Sequence, residues 1–408
     1  MPIALSTRRS TLLADVRRFS VEERRSRLAR RHFLSSPARD PVELARALVG
    51  LHATDPVTVY LSAWARGKDF SVAQLEHALY EERSLLRMIG MRRTLFVLPL
   101  DLAAIVRAAC TEAIAEAQRR RYAKLIEEGG ISSNGLAWLE DAAEATVRAL
   151  ESRGQAFARE LSDEVPQLRE KLSFGEGKTW ASTIGMTTWV LFLLAAEGRI
   201  VRGRPRGTWT SSQWSWIPAG AWSSEPLPEL EPDAARTELA SRWLAAYGPA
   251  TVTDLKWWTG WTLAQTRRAL AEIGVAEVDL DGVPGIALPD DLESEPHLEP
   301  WAALLPALDP TVMGWKEREW YLGVHGPALF DRNGNAGPTV WWNGRIVGGW
   351  ARRKDGEIVF RLLEDVGPDA VRAIDAEAER LERWLDGAKV LPRFATPLAK
   401  ELAEGAGR

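Results

Sequence analysis

The stretch from Ala250 to Leu288 constrains the fold more than any other. Ala250–Gly260 and Thr262–Ile273 read as two short helices broken at Gly260, because glycine adopts the left-handed conformation that ends a helix at little cost. Val275–Leu280 and Gly285–Leu288 are short apolar runs on either side of Asp281-Gly282, a dipeptide that favours a two-residue hairpin turn. Two helices joined by a tight turn and followed by a hairpin make a winged helix-turn-helix, a motif whose second helix enters the major groove of DNA. That helix would present Thr262, Gln265, Thr266, Arg267 and Arg268. Gln265, Arg267 and Arg268 are therefore candidate DNA contacts.

The same grammar of helices followed by a hydrophobic run with Arg or Gly at a turn occurs twice upstream. In the first unit, helices are expected at Val21–Leu34, Pro41–His52 and Ser71–Glu82, a strand at Arg92–Leu98, and a long helix from Pro99 to about Glu127. Asp40 ahead of Pro41, and Ser71, are N-cap residues. In the second, helices at Asn134–Ser152, Gln155–Ser162 and Lys178–Glu197 precede Arg199–Arg202 and a strand near Trp209–Trp216. The turn Gly203–Gly207 between them would put Arg204 and Arg206 at a wing tip with no acid nearby. A further helix, Asp233–Tyr247, opens the third unit, and the remainder is β-rich: Trp301–Leu308, Tyr321–Val324, Thr339–Trp342, Arg345–Trp350 and Glu357–Leu363, closed by a helix at Asp369–Leu385. The expected class is α+β, mainly helical. A basic tail (1–20) leads into three tandem winged-helix domains at 21–130, 131–218 and 232–290, with a linker at 219–231 and a β-rich C-terminal region at 291–408.

Composition removes several alternatives. The only cysteine is Cys110, which excludes an internal disulfide framework and a Cys-rich zinc site. The longest apolar stretch, Trp189–Ala196, is far below the roughly 18 residues of a membrane span, and the N-terminus lacks the apolar core of a signal peptide. The expected location is the cytoplasm. Of 408 residues, 52 are Lys or Arg and 56 Asp or Glu. Residues 1–31 nevertheless carry nine Arg against three acids, +6 on a body of −10, a local anion-binding surface. His32, His52, His77, His297 and His325 are scattered, with no paired-His helix, no phosphate-binding loop and no nucleophile elbow. No metal or organic cofactor is expected.

Gly50-Leu51-His52-Ala53-Thr54-Asp55-Pro56 sets an imidazole, a hydroxyl and a carboxylate within four residues. Read as the end of a helix, the run admits a small substrate site or a plain C-terminal cap with His52 at the negative end of the dipole. On a helical turn, His52 and Asp55 would share a face. Arg92-Arg93-Thr94 suits a phosphate contact, with salt bridging to Glu81 or Glu82 as the competing reading. Arg345, beside the Asn343-Gly344 hairpin, is a groove probe or an ordinary turn charge, and Trp257-Trp258-Trp261 are packing residues or base-stacking ones.

The run GLHATDPVTVYLSAWAR resembles the N-terminal signature of the AlkZ/YcaQ-type winged-helix DNA glycosylases. MRRTLFVLP, GPATVTDLKWWTG, LLPALDPTVMGW and NGNAGPTVWWNGRIVGGW extend the resemblance over about residues 21 to 390. It implies three tandem winged-helix domains and a β-rich region curved around duplex DNA. It also implies excision of bulky N7-alkylated purines, in some members including interstrand crosslinks, by a monomer at the nucleoid. The family's motif, Gln-apolar-Gln or a His- or Asp-containing variant, aligns with His52-Ala53-Thr54, so His52 stands in place of the first Gln and Thr54 in place of the second, and Asp55 follows. The implied roles are His52 orienting or deprotonating a water, Thr54 bonding that water, and Asp55 stabilising positive charge. Arg92, Arg93, Arg204, Arg206 and Arg345 would join the DNA contacts. A non-catalytic winged-helix DNA-binding protein, regulator or lesion sensor, is the alternative, and a protein-interaction scaffold a third reading.

Overall fold

A computed structural model of the chain describes residues 16–174, 182–296 and 298–405; most of the expected basic tail, and residues 178–181 of the expected 178–197 helix, lie outside them. The first helix, α1 (Val21–Arg31), starts at Ser20, whose hydroxyl accepts from Glu23 N, and carries acids in its first turn and Arg30 and Arg31 in its last, matching the helix dipole. α2 (Pro41–Ala47) is capped by Asp40 but stops five residues short of the expected His52. Val49 (φ 51°) and Gly50 (φ 107°) reverse the chain, and a Cβ on Gly50 would sit 2.5 Å from Leu98 Cδ2. Only glycine fits there. The chain leaves the turn as a strand, β1 (Leu51–His52).

Asp55 then caps a new helix, α3 (Pro56–Trp64), every residue of which is buried. α4 (Val72–Glu76) runs on through a π turn to Glu81. β2 (Leu85–Ile89) and β3 (Leu95–Pro99) follow, and β3 lies between β1 and β2 in an antiparallel sheet. The expected strand at Arg92–Leu98 therefore starts later, because Arg92 and Arg93 form the β2–β3 turn with φ of 53° and 63°. α5 (Leu100–Val106), a π turn and α6 (Glu112–Glu128) make the expected long helix.

The second unit holds α7 (Gly135–Arg153), β4 (Ala156–Phe157), α8 (Ala158–Glu164), β5 (Lys171–Phe174), β6 (Ser182–Gly185), α9 (Met186–Ala196), β7 (Ile200–Pro205) and β8 (Trp214–Pro218). β6 pairs with β5 where helix was expected, so the helix begins at Met186. β7 runs through the expected turn at 203–207, its Pro205 opposite Trp214, which moves the turn out to residues 206–213. Trp209 is accordingly not in a strand; it packs on Tyr60 (ring centroids 4.9 Å apart) and Trp384. A short helix, α10 (Ala219–Trp222), occupies the start of the expected linker.

In the third unit, α11 (Pro232–Tyr247) leads to α12 (Val252–Thr259) and α13 (Leu263–Ile273), separated at Gly260 (φ 78°), then β9 (Ala276–Asp279) and β10 (Pro284–Ala287) paired in a hairpin. β11 (Ala302–Leu305), α14 (Glu319–Leu322), α15 (Gly326–Leu329), β12 (Thr339–Trp342), β13 (Arg345–Arg352), β14 (Ile358–Leu362), α16 (Pro368–Leu385) and α17 (Pro397–Ala403) complete the order. Strands β11 to β14 pair in sequence as a four-stranded antiparallel sheet. The expected strand at Tyr321–Val324 is instead α14, ended by Gly323: Tyr321 turns inward as an anchor, stacked on Trp341, while Val324 is exposed.

One hydrophobic core joins the first unit, the third and the C-terminal sheet through Leu28, Val106, Trp243, Trp258, Met313 and Trp341, whereas the second unit packs with α6 in a separate core around Tyr122 and Trp189. The abundant tryptophan is mostly spent here. Trp243, Trp315 and Trp341 are fully buried, each contributing the large apolar area that makes aromatic residues dominate cores.

Candidate functional site

The structure separates the residues that sequence spacing put together. His52 lies on β1 opposite Phe96 and packs edge-on against its ring, centroids 5.3 Å apart. It is only 4% exposed, and its Nδ1 is buried without a partner. Burial above all, then the nearby Arg92 charge, pushes its pKa down to about 3, so the imidazole is neutral at physiological pH. The negative charge whose field reaches His52 is that of Asp309, not Asp55.

Asp55, 3% exposed, accepts from Val57 N at 3.2 Å with Oδ1 and from Arg393 N at 2.8 Å with Oδ2. Burial raises its pKa despite these two amides. It lines a small apolar cleft beside Val390–Pro392, away from Phe96. Being an N-cap rather than part of a helical turn with His52, it does not share a helix face with it. Thr54 stands half-buried between them, its hydroxyl accepting from Leu95 N at 3.4 Å and its carbonyl from Arg393 Nη1 at 3.3 Å.

The positive charge nearest in effect to His52 is Arg92, held on an aromatic face. The Arg92 guanidinium lies 3.9 Å over the Trp257 ring, and Arg318 shares that ring at 5.1 Å. Among the described residues, neither has a carboxylate within salt-bridge distance. Arg92 Nε and Arg318 Nη1 are buried without partners, and burial, then Arg318, lowers the Arg92 pKa to about 10. Two consecutive non-glycine residues in the left-handed region, each costing roughly 1–2 kcal/mol, hold Arg92 there and Arg93 out to solvent over Phe192. Such strain, held in place by surrounding structure, is characteristic of ligand-binding turns. Neither Glu81 nor Glu82 bridges to this turn.

The other predicted DNA contacts divide. Arg204 is exposed but pairs with Glu76 at 3.0 Å and Glu81 at 2.8 Å, and Arg206 pairs with Glu160 at 3.7 Å; acids that sequence distance had hidden lie against the β7–β8 hairpin. Arg268 pairs with Asp233 at 2.5 Å and Arg345 with Glu364 at 2.9 Å. Gln265 closes a capping box, its Oε1 accepting from Thr262 N at 3.0 Å, and Thr266 is buried, so neither projects freely from α13. Arg267 is exposed and unpaired among the described residues.

Sequence reading missed Arg318, the role of Trp257, and a buried network behind the site. Arg66 and Asp309, both 0% exposed, form a bidentate pair at 2.7 and 2.9 Å. His32 O, Ser62 and Thr311 satisfy the remaining donors and acceptors. Burial would raise the Asp309 pKa, but Arg66 and these hydrogen bonds hold it below the usual range. The signal was Asp309 within Leu304–Trp315, a lone acid in an apolar run. Among the described residues, no group of three or more His, Cys, Asp or Glu could hold a metal ion, and no helix is long and apolar enough to cross a membrane.

A family model described as DNA glycosylase AlkZ-like matches residues 45–384. The interstrand DNA cross-link repair glycosylase of Streptomyces sahachiroi is 27% identical over 203 residues, 48% of this chain and 54% of that protein; the chain thus spans about half the length of this curated relative. The solved Streptomyces sahachiroi DNA glycosylase AlkZ superimposes with a TM-score of 0.66 at 21% identity, covering 93% of this chain and 100% of that one, a likeness of fold.

Proposed function

The chain belongs to the AlkZ-like DNA glycosylase family, and from that premise we propose that it hydrolyses the N-glycosidic bond of N7-alkylated purines in duplex DNA, bulky or crosslinked adducts included. On this reading the three helical units are tandem winged helices that hold the duplex, and the chain acts as a monomer. The observation that carries the reading is the unpartnered Nδ1 of His52 near Arg92, which, like Arg318 on the same Trp257 ring, has no counter-ion among the described residues. An N7-alkylated guanine is already cationic, so it leaves without a general acid. What remains is to hold a water against an oxocarbenium-like sugar. A neutral imidazole with a pKa near 3 is a poor base but an acceptor: Nδ1 takes a hydrogen bond from the water and Thr54 takes another. The water oxygen bonds to C1′ as the C1′–N9 bond electrons leave with the neutral base, and the proton then shed by the new C1′ hydroxyl passes to solvent. Arg92 and Arg318 hold flanking phosphates, with Trp257 as their platform. Asp55 is a positioning residue, since both its oxygens are spent fixing the Thr54–Val57 turn against Arg393.

The occupied carboxylate of Asp55 favours one second reading, a lesion-binding protein without catalysis. Incubation with duplex carrying N7-methylguanine, and with bulkier N7 adducts, distinguishes the two. Release of free base that is lost in His52→Ala supports the enzyme, and tight lesion binding without release supports the sensor.

A further inference from the structure

The segment between α16 and α17 carries an apolar tip for which the fold itself has no use. Leu391 is 72% exposed, while its neighbour Val390 is buried in the core that α16 forms with Trp350. On the other side, the Arg393 amide donates to Asp55 Oδ2 at 2.8 Å, and the Arg393 guanidinium donates to the Thr54 carbonyl at 3.3 Å. Pro392, between them, fixes its own φ. Leu391 is therefore held out to solvent by an anchor on each side. The cleft behind it has a volume of about 30 Å³, room for a water or two rather than a base, so the loop offers its tip and not a pocket.

A single exposed leucine on an ordinary surface needs no explanation, but the surroundings of this one are basic. From Gly387 to Lys400 the sequence holds Lys389, Arg393 and Lys400 and no acid. Lys389 and Arg393 are exposed, and among the described residues neither forms a salt bridge, Asp386 at the end of α16 included. Asp55, which the loop does touch, is buried with both oxygens on backbone amides. The loop also borders the site around Thr54. The Thr54 hydroxyl accepts from Leu95 N, just past the Arg92–Arg93 turn, while its carbonyl accepts from Arg393. The tip lies beyond residue 384, where the match to the family model ends. An apolar side chain among cations is what minor-groove proteins push between base steps, the apolar group opening the stack while the cations hold phosphates. Resting on the glycosylase reading, we propose that Leu391 is a wedge that enters duplex DNA at a base step beside the adduct, with Lys389 and Arg393 on the flanking phosphates. Entry removes from water the apolar area that the free protein leaves exposed, and unstacking at that step frees the adduct nucleotide to move toward His52 and Thr54.

The test is binding of the whole chain to a duplex with 2-aminopurine beside 2′-fluoro-N7-methylguanine, an adduct analogue whose glycosidic bond resists cleavage. The native protein should raise the 2-aminopurine fluorescence severalfold, the mark of an unstacked neighbour. Leu391→Ser should lose most of that rise and bind about tenfold more weakly, with an unchanged salt slope, because no charge is removed. Leu391→Met, which keeps an apolar wedge, should retain both the rise and the affinity. Lys389→Met and Arg393→Met should each make the salt slope shallower by about one. Binding without a fluorescence rise, a rise that Leu391→Ser keeps, or a Leu391→Met as impaired as the serine variant overturns the wedge and leaves the glycosylase reading intact. A native protein that does not bind the duplex overturns that reading, and the wedge with it.

Discussion

Replacing Asp309 by Asn should destabilise the fold by about 3–5 kcal/mol, the cost of breaking a fully buried ion pair from one side. The structure gives the reason for the upper part of that range. Arg66 and Asp309 are both 0% exposed. Arg66 loses its counter-charge, and the Asn amide turns a donor toward a position where Arg66 Nη1 and Ser62 Oγ already donate to Oδ2. Arg66→Met leaves Asp309 as a buried anion and should cost about as much. The double variant removes both charges together, leaving only hydroxyl and amide groups to re-pair at about 1–3 kcal/mol. It should therefore be less damaging than the sum of the singles by about 3 kcal/mol. Urea unfolding of all four proteins, with the slope checked for constancy, measures this cycle. The pH dependence is a second readout. The pKa of Asp309 is lowered in the folded state, so its contribution is complete above the unfolded carboxylate pKa and is lost as pH falls through the folded one. That acid-side loss should be absent from Asp309→Asn. Singles that each cost under about 1 kcal/mol, or a double equal to their sum, would refute the reasoning.

His52→Ala should slow base release by about 10²- to 10⁴-fold while duplex affinity stays within a few-fold; His52→Gln, which restores an uncharged acceptor, should keep most of the rate, and single-turnover assays decide. Because burial holds the His52 pKa near 3, the rate should show no limb near the ordinary histidine value of about 6.5, and a limb there that His52→Gln abolishes would contradict the assignment. Arg92→Ala should weaken binding to every duplex alike and make its salt dependence shallower by about one charge; fluorescence anisotropy showing a loss confined to one sequence would point to base readout instead. Gly50→Ala should cost about 2–4 kcal/mol from the left-handed backbone and the Leu98 contact together, and an unchanged melting temperature would mean that the turn relaxes freely.

The sequence makes local punctuation legible, but only where it is applied evenly. Asp40-Pro41 is read correctly as the start of α2. The same signature at Asp55-Pro56 marks the start of α3, yet read from the apolar run before it, it passes for a helix end. Gly50 is the missing sign, a glycine past α2 that lets the chain reverse. With it, His52 belongs to a strand, and spacing arguments that assume a helical turn no longer apply. Tyr321–Val324 fails for another reason. Tyr321, Leu322 and Val324 name a strand by composition, but the pull of Trp341 and Trp315 on the Tyr321 ring is tertiary, and composition does not encode it.

Charge pairing is the part of the site that sequence hides most completely. Arg204 meets Glu76 and Glu81 across 128 and 123 residues, and Arg345, Arg268 and Arg206 find acids that no local window shows. In the sequence all of them look as free as Arg92 or Arg87. Folding sorts them: an exposed arginine beside an acid is a solvated pair worth little, whereas a buried arginine with unpartnered nitrogens and no acid carries an uncompensated cost. Among the described residues, half-buried Arg92 and Arg318 over Trp257, Arg87 and half-buried Arg202 over Trp214 and Trp216, and buried Arg24 over Trp320 have nitrogens left in that state. Aromatic faces supply part of the missing counter-charge, by about 0.5–2 kcal/mol each, which is less than the cost of burying a guanidinium. On the proposed function, the remainder would be recovered at Arg92 and Arg318 when a phosphate arrives. If Arg92→Ala weakens duplex binding while Arg204→Ala, whose partners are Glu76 and Glu81, does not, then the unpaired arginines rather than the basic residues most conspicuous in the sequence mark where DNA lies.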